Sequence, residues 1–171
     1  AEKLSKSGTQ PIIGTQINFK YGDPTRLLPL YALDEEAYTP LIALSSLSFL
    51  NNDELSDPHL DIKELLIECK GVALFSGTVN GLFGRLFDKG KSKEIFELYS
   101  KLHSIYQNNF YVEIQRHGDQ NEESFEKFNL EKSLEIKIPL IATNEVYYLS
   151  SDMHEAHDAL ICIKNKTYIN E

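Results

Sequence analysis

Apolar and polar positions change their period several times along the chain, and each change predicts an element. "PIIGTQINF" (Pro11–Phe19) alternates and reads as a strand. "RLLPLYAL" (Arg26–Leu33) is a second apolar run, and Asp34 opens a helical stretch to about Leu50. "NNDELSDPHLD" is polar and broken by Pro58, hence a loop. "IKELLIEC" reads as a short helix, followed by Gly71 and the buried-strand run "VALFSG". From Lys91 onward, Ile95, Leu98, Tyr99, Leu102, Ile105 and Tyr106 recur at helical spacing and form one apolar face. "FYVEIQ" (Phe110–Gln115) is a strand. Asp119 is placed to cap the next helix, with Glu122 three residues on in a capping-box layout. That helix runs towards Lys137, "IPLIATN" (Ile138–Asn144) is a strand, and a last helix starts near Ser151.

Strands alternating with helices predict an α/β architecture around a largely parallel sheet or barrel. No internal repeat or low-complexity linker divides residues 1–171, so the expectation is one domain. Composition narrows the class: 42% apolar and 25% charged residues are those of a globular chain, not a disordered one. No apolar run approaches the roughly 18 residues of a membrane span. "AEKLSKSGTQPIIG" lacks the apolar centre of a signal peptide, and a cytoplasmic protein is expected. Cys69 and Cys162 are too few for a disulfide framework and read as reduced thiols. With 17 basic and 26 acidic side chains the net charge is −9, and no Lys/Arg cluster stands out. Gripping a phosphate backbone relies on clustered cations, so strong direct nucleic-acid binding is not expected.

The segment "DMHEAHDALICI" (Asp152–Ile163) concentrates metal-ligating residue types. The zinc-protease pattern places its histidines four apart, about 40° round a helix; His154 and His157 are three apart, about 60°. Met153, His157, Leu160 and Ile161 share a helix face, which the pattern predicts to be buried. His157 is then a hydrogen-bonded core histidine, and His154 lies among polar positions. "GKS" (Gly90–Ser92) is not a phosphate-binding loop, because Arg85 stands where that motif requires a glycine. In "SGTVNGLFG", Gly77, Gly81 and Gly84 are out of dinucleotide-binding order, and tight turns or close packing explain them better.

Strand ends offer the remaining candidates. Glu113 is followed by Arg116 and His117, and Glu145 by Tyr147. In α/β barrels such positions converge on one mouth, so Glu113, His117 and Glu145 are candidates for a shared site.

The stretches "QPIIGTQINF", "VALFSGTVNGLFGRL", "FYVEIQRHGDQNEESF" and "IPLIATNEVYYLSSDMHEAHDALICI", in that order, add a further inference. Together they resemble the PHP (polymerase and histidinol phosphatase) domain, in the form found in the alpha subunit of bacterial replicative DNA polymerase III. The resemblance runs from Gln10 onward. It implies a PHP-type distorted (β/α)7 barrel, incomplete because its N-terminal βα units would lie upstream of residue 1. The chain would be the larger C-terminal part of that domain, with the polymerase's own catalytic domains following Glu171.

Metal-competent members of the family bind divalent ions through histidines and carboxylates. By resemblance, Glu113 matches the carboxylate of the family's "EIQ.HG" segment, with His117 nearby. Gln16 stands where a glutamate is expected and Leu27 where a histidine is expected. Glu145 replaces an aspartate, and Tyr147 replaces a ligand histidine. A multi-ion site needs several anionic or imidazole ligands to offset cation repulsion and dehydration. The expectation is therefore a degenerate site with no retained metal or other cofactor and no catalytic residue. The implied role is a silent scaffold within the replicase. Its partners would be the rest of the alpha subunit, the proofreading exonuclease subunit and other replicase subunits. The alternative is a Zn²⁺- or Mn²⁺-dependent phosphoesterase or 3′–5′ exonuclease. An interrupted barrel also exposes strand edges, so self-association of the fragment is expected near Pro11–Phe19.

Overall fold

Strand β1 (Ile13–Lys20) ends only a few residues before β2 (Thr25–Ala32) begins. A connection that short cannot carry a parallel crossover, so the two strands pair antiparallel. Gln16 lies opposite Pro29 and Asn18 opposite Leu27 in this hairpin. The computed structural model describes residues 1–23, 25–52, 56–67 and 69–169. The loop expected over Asn51–Asp61 and the helix expected over Ile62–Cys69 fall partly on residues 53–55 and 68, outside the described residues.

Strand β3 (Leu60–Asp61) runs parallel to the end of β1, β4 (Val72–Phe75) antiparallel to β2, and β5 (Phe110–Ile114) and β6 (Leu140–Ala142) follow in parallel. The strand order is β3-β1-β2-β4-β5-β6. Five of the six strands therefore run in one direction, as expected of a largely parallel sheet, and only β2 is reversed, because the short hairpin turns it back between β1 and β4. The α/β class itself stands. A short α1 (Glu2–Lys6) precedes the sheet, and α2 (Tyr38–Leu50) follows β2. The crossovers are α3 (Leu82–Asp88) with α4 (Ser92–Tyr106), then α5 (Glu122–Ile136); α6 (His154–Asn165) comes last. Residues 62–66 form a 3₁₀ turn begun by the Asp61 carboxylate, which accepts the Lys63 N–H at 2.9 Å.

Side chains alternate across a strand, so each strand serves two faces. Ile17, Phe19, Leu28, Leu30, Leu74, Phe110 and Val112 point to one face and join the main core with the helices. The face predicted for α4 is the buried one: Ile95, Leu98, Tyr99, Leu102 and Tyr106 all enter that core, with Ile105 partly buried against it. Gly84 allows α3 to approach its own preceding loop. A Cβ there would stand 2.0 Å from the Val79 carbonyl oxygen.

The other sheet face carries Gln16, Asn18, Leu27, Pro29, Tyr31, Phe75, Tyr111 and Glu113 by the same alternation. Phe75 is its apolar centre, with ring centroids 4.7 Å from Tyr31 and 5.5 Å from Tyr111.

Two local expectations are corrected. Asp119 does not cap α5 with its side chain; its carboxylate accepts from Asn80 Nδ2 at 2.8 Å. Glu122, the first residue of α5, makes no capping box either; it accepts the backbone N–H groups of His117 and Gly118 in the preceding loop at 3.0 and 2.8 Å. The second correction concerns α6, which buries none of its residues. Met153, Leu160 and Ile161 are exposed. His157 is half-buried, and it lies against the rings of Tyr147 and Tyr148 (centroids 5.1 and 5.4 Å) rather than in the core. The apolar stripe is real, but no described element covers it.

Candidate functional site at the strand ends

Parallel strands deliver their C-terminal residues to one rim, and here that rim borders a cleft of about 530 Å³. β1 contributes Gln16 and Asn18, β2 Arg26 and Leu27, the turn after β4 Gly77, β5 Glu113 and Gln115, and the loop after β6 Glu145. Gly77 makes that turn in the left-handed region at φ +76, where glycine is the unstrained choice. A recess of about 240 Å³ shares Gln16, Glu113, Gln115 and Glu145 and adds Tyr31, Thr143 and Tyr147.

Glu113 is the most buried charged residue here, at 5% exposure. Ser76 fixes its backbone by accepting the Glu113 N–H at 2.9 Å. Its Oε1 takes the hydroxyl of Thr143 and the Nε2 of Gln115, the latter at 3.3 Å, while Gln115 Nε2 also reaches Thr143 Oγ1 at 2.9 Å. Its Oε2 is buried and takes no hydrogen bond from a side chain. Burial raises the Glu113 carboxyl above its ordinary range, against the pull of bonds from Thr143, Gln115 and Gly77, with the nearby Glu145 charge adding a small upward push. Across the recess the Tyr147 hydroxyl donates to Glu145 Oε2, which raises the phenol.

Five of the expected positions thus come together: Gln16, Leu27, Glu113 and Glu145 line the cleft, and Tyr147 lines its recess. His117 does not join them. It is exposed, and its backbone N–H serves Glu122. Arg116 points to Glu126 in a two-pronged pair at 3.0 and 2.7 Å. His154 and His157 sit on α6, with His154 3.7 Å from Asp158. Sequence reasoning missed His59, Arg26 and Thr143. His59 lines the cleft, its Nδ1 2.8 Å from the Asp57 carbonyl; its only signal was a position in a stretch read as a plain loop.

A model of the PHP domain matches residues 1–117 of this chain. The chain belongs to the PHP domain family. Its curated relatives include the DNA polymerase III subunit alpha of Caulobacter vibrioides, 33% identical over 96% of this chain. That of Rickettsia felis is 35% identical over 92%, and that of Vibrio cholerae 29% over 91%. The chain spans only 15%, 13% and 14% of those relatives' own lengths. The divalent metal cluster that the family resemblance implies needs several anionic or imidazole donors. Among the described residues, no group of three or more His, Cys, Asp or Glu side chains is arranged to hold an ion. Gln16 offers a neutral amide oxygen, Leu27 offers nothing, and Glu145 already accepts from Tyr147. At these three positions the cleft offers a poor donor set for a metal cluster, although Asp23, Asp57 and His59 also line it. Also among the described residues, no helix is long and apolar enough to cross a membrane.

Proposed function

We propose that this chain is the PHP module of a bacterial replicative DNA polymerase III alpha subunit and serves there as a scaffold without metal-dependent catalysis. One observation carries the reading. Gln16, Leu27 and Tyr147 border the same cleft as Glu113 and Glu145, so the positions that should bear ligands face the right space with the wrong chemistry. The cleft's carboxylates, Asp23, Asp57, Glu113 and Glu145, and His59 are not grouped by threes among the described residues. Glu113 is also biased towards its neutral form, which is a poor offset to the dehydration of several cations. The net charge of −9 further disfavours a grip on nucleic acid by this module alone. In the cytoplasm the module would steady the large subunit and dock the proofreading exonuclease subunit and other replicase subunits. The outer edge of β1 is paired by β3 only at Phe19 and Lys20, which favours self-association of the separate chain.

The test is restoration. Elemental analysis after dialysis is expected to find no stoichiometric Zn²⁺ or Mn²⁺ in the wild type, and gain of Mn²⁺ in a Gln16→Glu/Leu27→His/Tyr147→His variant. Immobilised wild-type chain is expected to retain the exonuclease subunit, and light scattering to detect dimers. Wild-type protein that holds metal and cleaves a phosphodiester in a chelator-sensitive, Glu113-dependent way would instead establish the phosphoesterase or exonuclease reading.

A further inference from the structure

The turn after β4 carries the sequence's only Asn-Gly pair, Asn80–Gly81, and both residues line the cleft. Asparagine before glycine has a chemistry of its own. Glycine has no Cβ to shield its nitrogen, so that nitrogen reaches the asparagine side-chain carbon readily. Here each reacting group is tethered. Asn80 Nδ2 donates to Asp119 Oδ2 at 2.8 Å, and Asn80 Oδ1 accepts from Arg85 Nη2 at 3.1 Å. The Gly81 N–H donates to the Thr78 carbonyl at 2.9 Å. Arg85 Nη1 also reaches Asp88 Oδ2 at 3.4 Å, and Asn121 Nδ2 donates to Asp88 Oδ1 at 3.0 Å. These side chains clasp the turn before α3 to the loop before α5, joining positions 39 residues apart. Asn80 is exposed, so burial does not keep water from it. The clasp is what restrains it.

We propose that Asn80 is a spontaneous deamidation site which this clasp holds shut, and that release of the clasp converts it to an acid. Water is the sole co-reactant. The Gly81 nitrogen attacks Asn80 Cγ; the N–Cγ bond forms, the Cγ–Nδ2 bond breaks, and Nδ2 leaves as ammonia with the proton of the Gly81 amide. Water then opens the cyclic imide at one of its two ring C–N bonds. One opening gives aspartate, and the other gives isoaspartate with the main chain routed through the side chain. Either product sets a carboxylate where Asp119 now accepts from an amide. Repulsion between like charges replaces a charge-assisted hydrogen bond, and the clasp does not re-form. The conversion therefore runs one way and adds negative charge to the rim of the cleft.

This inference is independent of the scaffold reading, since it concerns the turn and not the metal positions. The wild-type chain, Asp119→Ala, Asp119→Asn and a synthetic peptide of residues 76–84 would be incubated in mildly alkaline buffer. Peptide mapping by mass spectrometry would follow aspartate and isoaspartate at position 80. Modification tracks the fraction of time the turn is open, so the wild type is expected to react more than roughly tenfold slower than the peptide. Asp119→Ala should approach the peptide's rate. Asp119→Asn, with a neutral acceptor in the same place, should fall between, a grading that a general folding defect does not produce. The wild type in urea should match the peptide, which shows that folding and not sequence sets the difference. Asn80→Asp, the counterpart of one product, is expected to speed amide exchange across residues 78–88 and 117–121. Equal rates in the folded wild type and the peptide, or an unchanged rate in both Asp119 variants, would overturn the proposal. Unchanged exchange in Asn80→Asp would overturn its one-way character.

Discussion

Thr143, just after one strand, donates its hydroxyl to Oε1 of Glu113 on the neighbouring strand, and Oε2 of the same carboxylate stays buried with no side-chain partner. The asymmetry has a pH signature. Burial raises the folded-state carboxyl above its ordinary value of 4.5. The unfolded chain therefore releases this proton at lower pH than the folded chain does. Between the two values the folded state binds more protons, so stability falls as pH rises through that window and stays lowered above it. Glu113→Gln has no proton to release. Its melting temperature is expected to exceed that of the wild type at about pH 8, with the gap closing towards about pH 4. Thermal scans across that range decide it; a gap that ignores pH would show Glu113 to be an ordinary carboxylate.

Tyr99 lies wholly inside the core and donates to Asn129 Oδ1 at 3.1 Å, and Asn129 itself is 1% exposed. Tyr99→Phe leaves that amide oxygen without a donor where water does not reach. A loss of about 1–3 kcal/mol in urea denaturation is expected. Tyr99→Phe with Asn129→Leu should lose less than the two single changes added together, because the orphaned group is removed with its partner.

Gly84 has no room for a methyl group, since the nearest atom, Val79 O, belongs to the backbone and cannot rotate away. Gly84→Ala is expected to destabilise by more than about 2 kcal/mol, although alanine is the better helix former by roughly 1 kcal/mol. A thermally neutral Gly84→Ala would mean that α3 stands further from residue 79 than described.

The helix α6 is held by rings rather than by a core: His157 contacts Tyr147 and Tyr148, and His154 meets Tyr148 edge-on at 6.1 Å. His157→Ala is expected to leave global unfolding within about 0.5 kcal/mol of wild type. Amide exchange across residues 145–165 should accelerate at the same time, because local opening no longer breaks a stack. Unchanged exchange would show that another contact secures the helix.

How much was legible follows from which signals are local. The buried side of α4 could be read from spacing because Ile95, Leu98, Tyr99, Leu102 and Tyr106 meet a sheet that is present. Met153, Leu160 and Ile161 have the same spacing and stay exposed, since periodicity identifies an apolar face and not what lies against it. The largely parallel sheet was legible, but the single reversed strand, β2, depends on the length of the link after Lys20, a feature that apolar patterning ignores. Glu113 and Glu145, with Tyr147 close by, are legible as strand-end residues, whereas Gln16 and Leu27 emerge only through a family pattern. His59 and Thr143 follow no period, and only the fold brings them to the cleft or its recess.

The rim of the cleft is built from residues that the core does not need. Gln16, Leu27, Glu145 and Tyr147 are exposed there, while the neighbours that bear the packing, Ile17 and Leu28, point the other way. Exchange of side chains along that rim leaves the interior untouched. A lineage can therefore surrender a reaction centre of this design, or acquire another, with hardly any mark on how well the molecule folds.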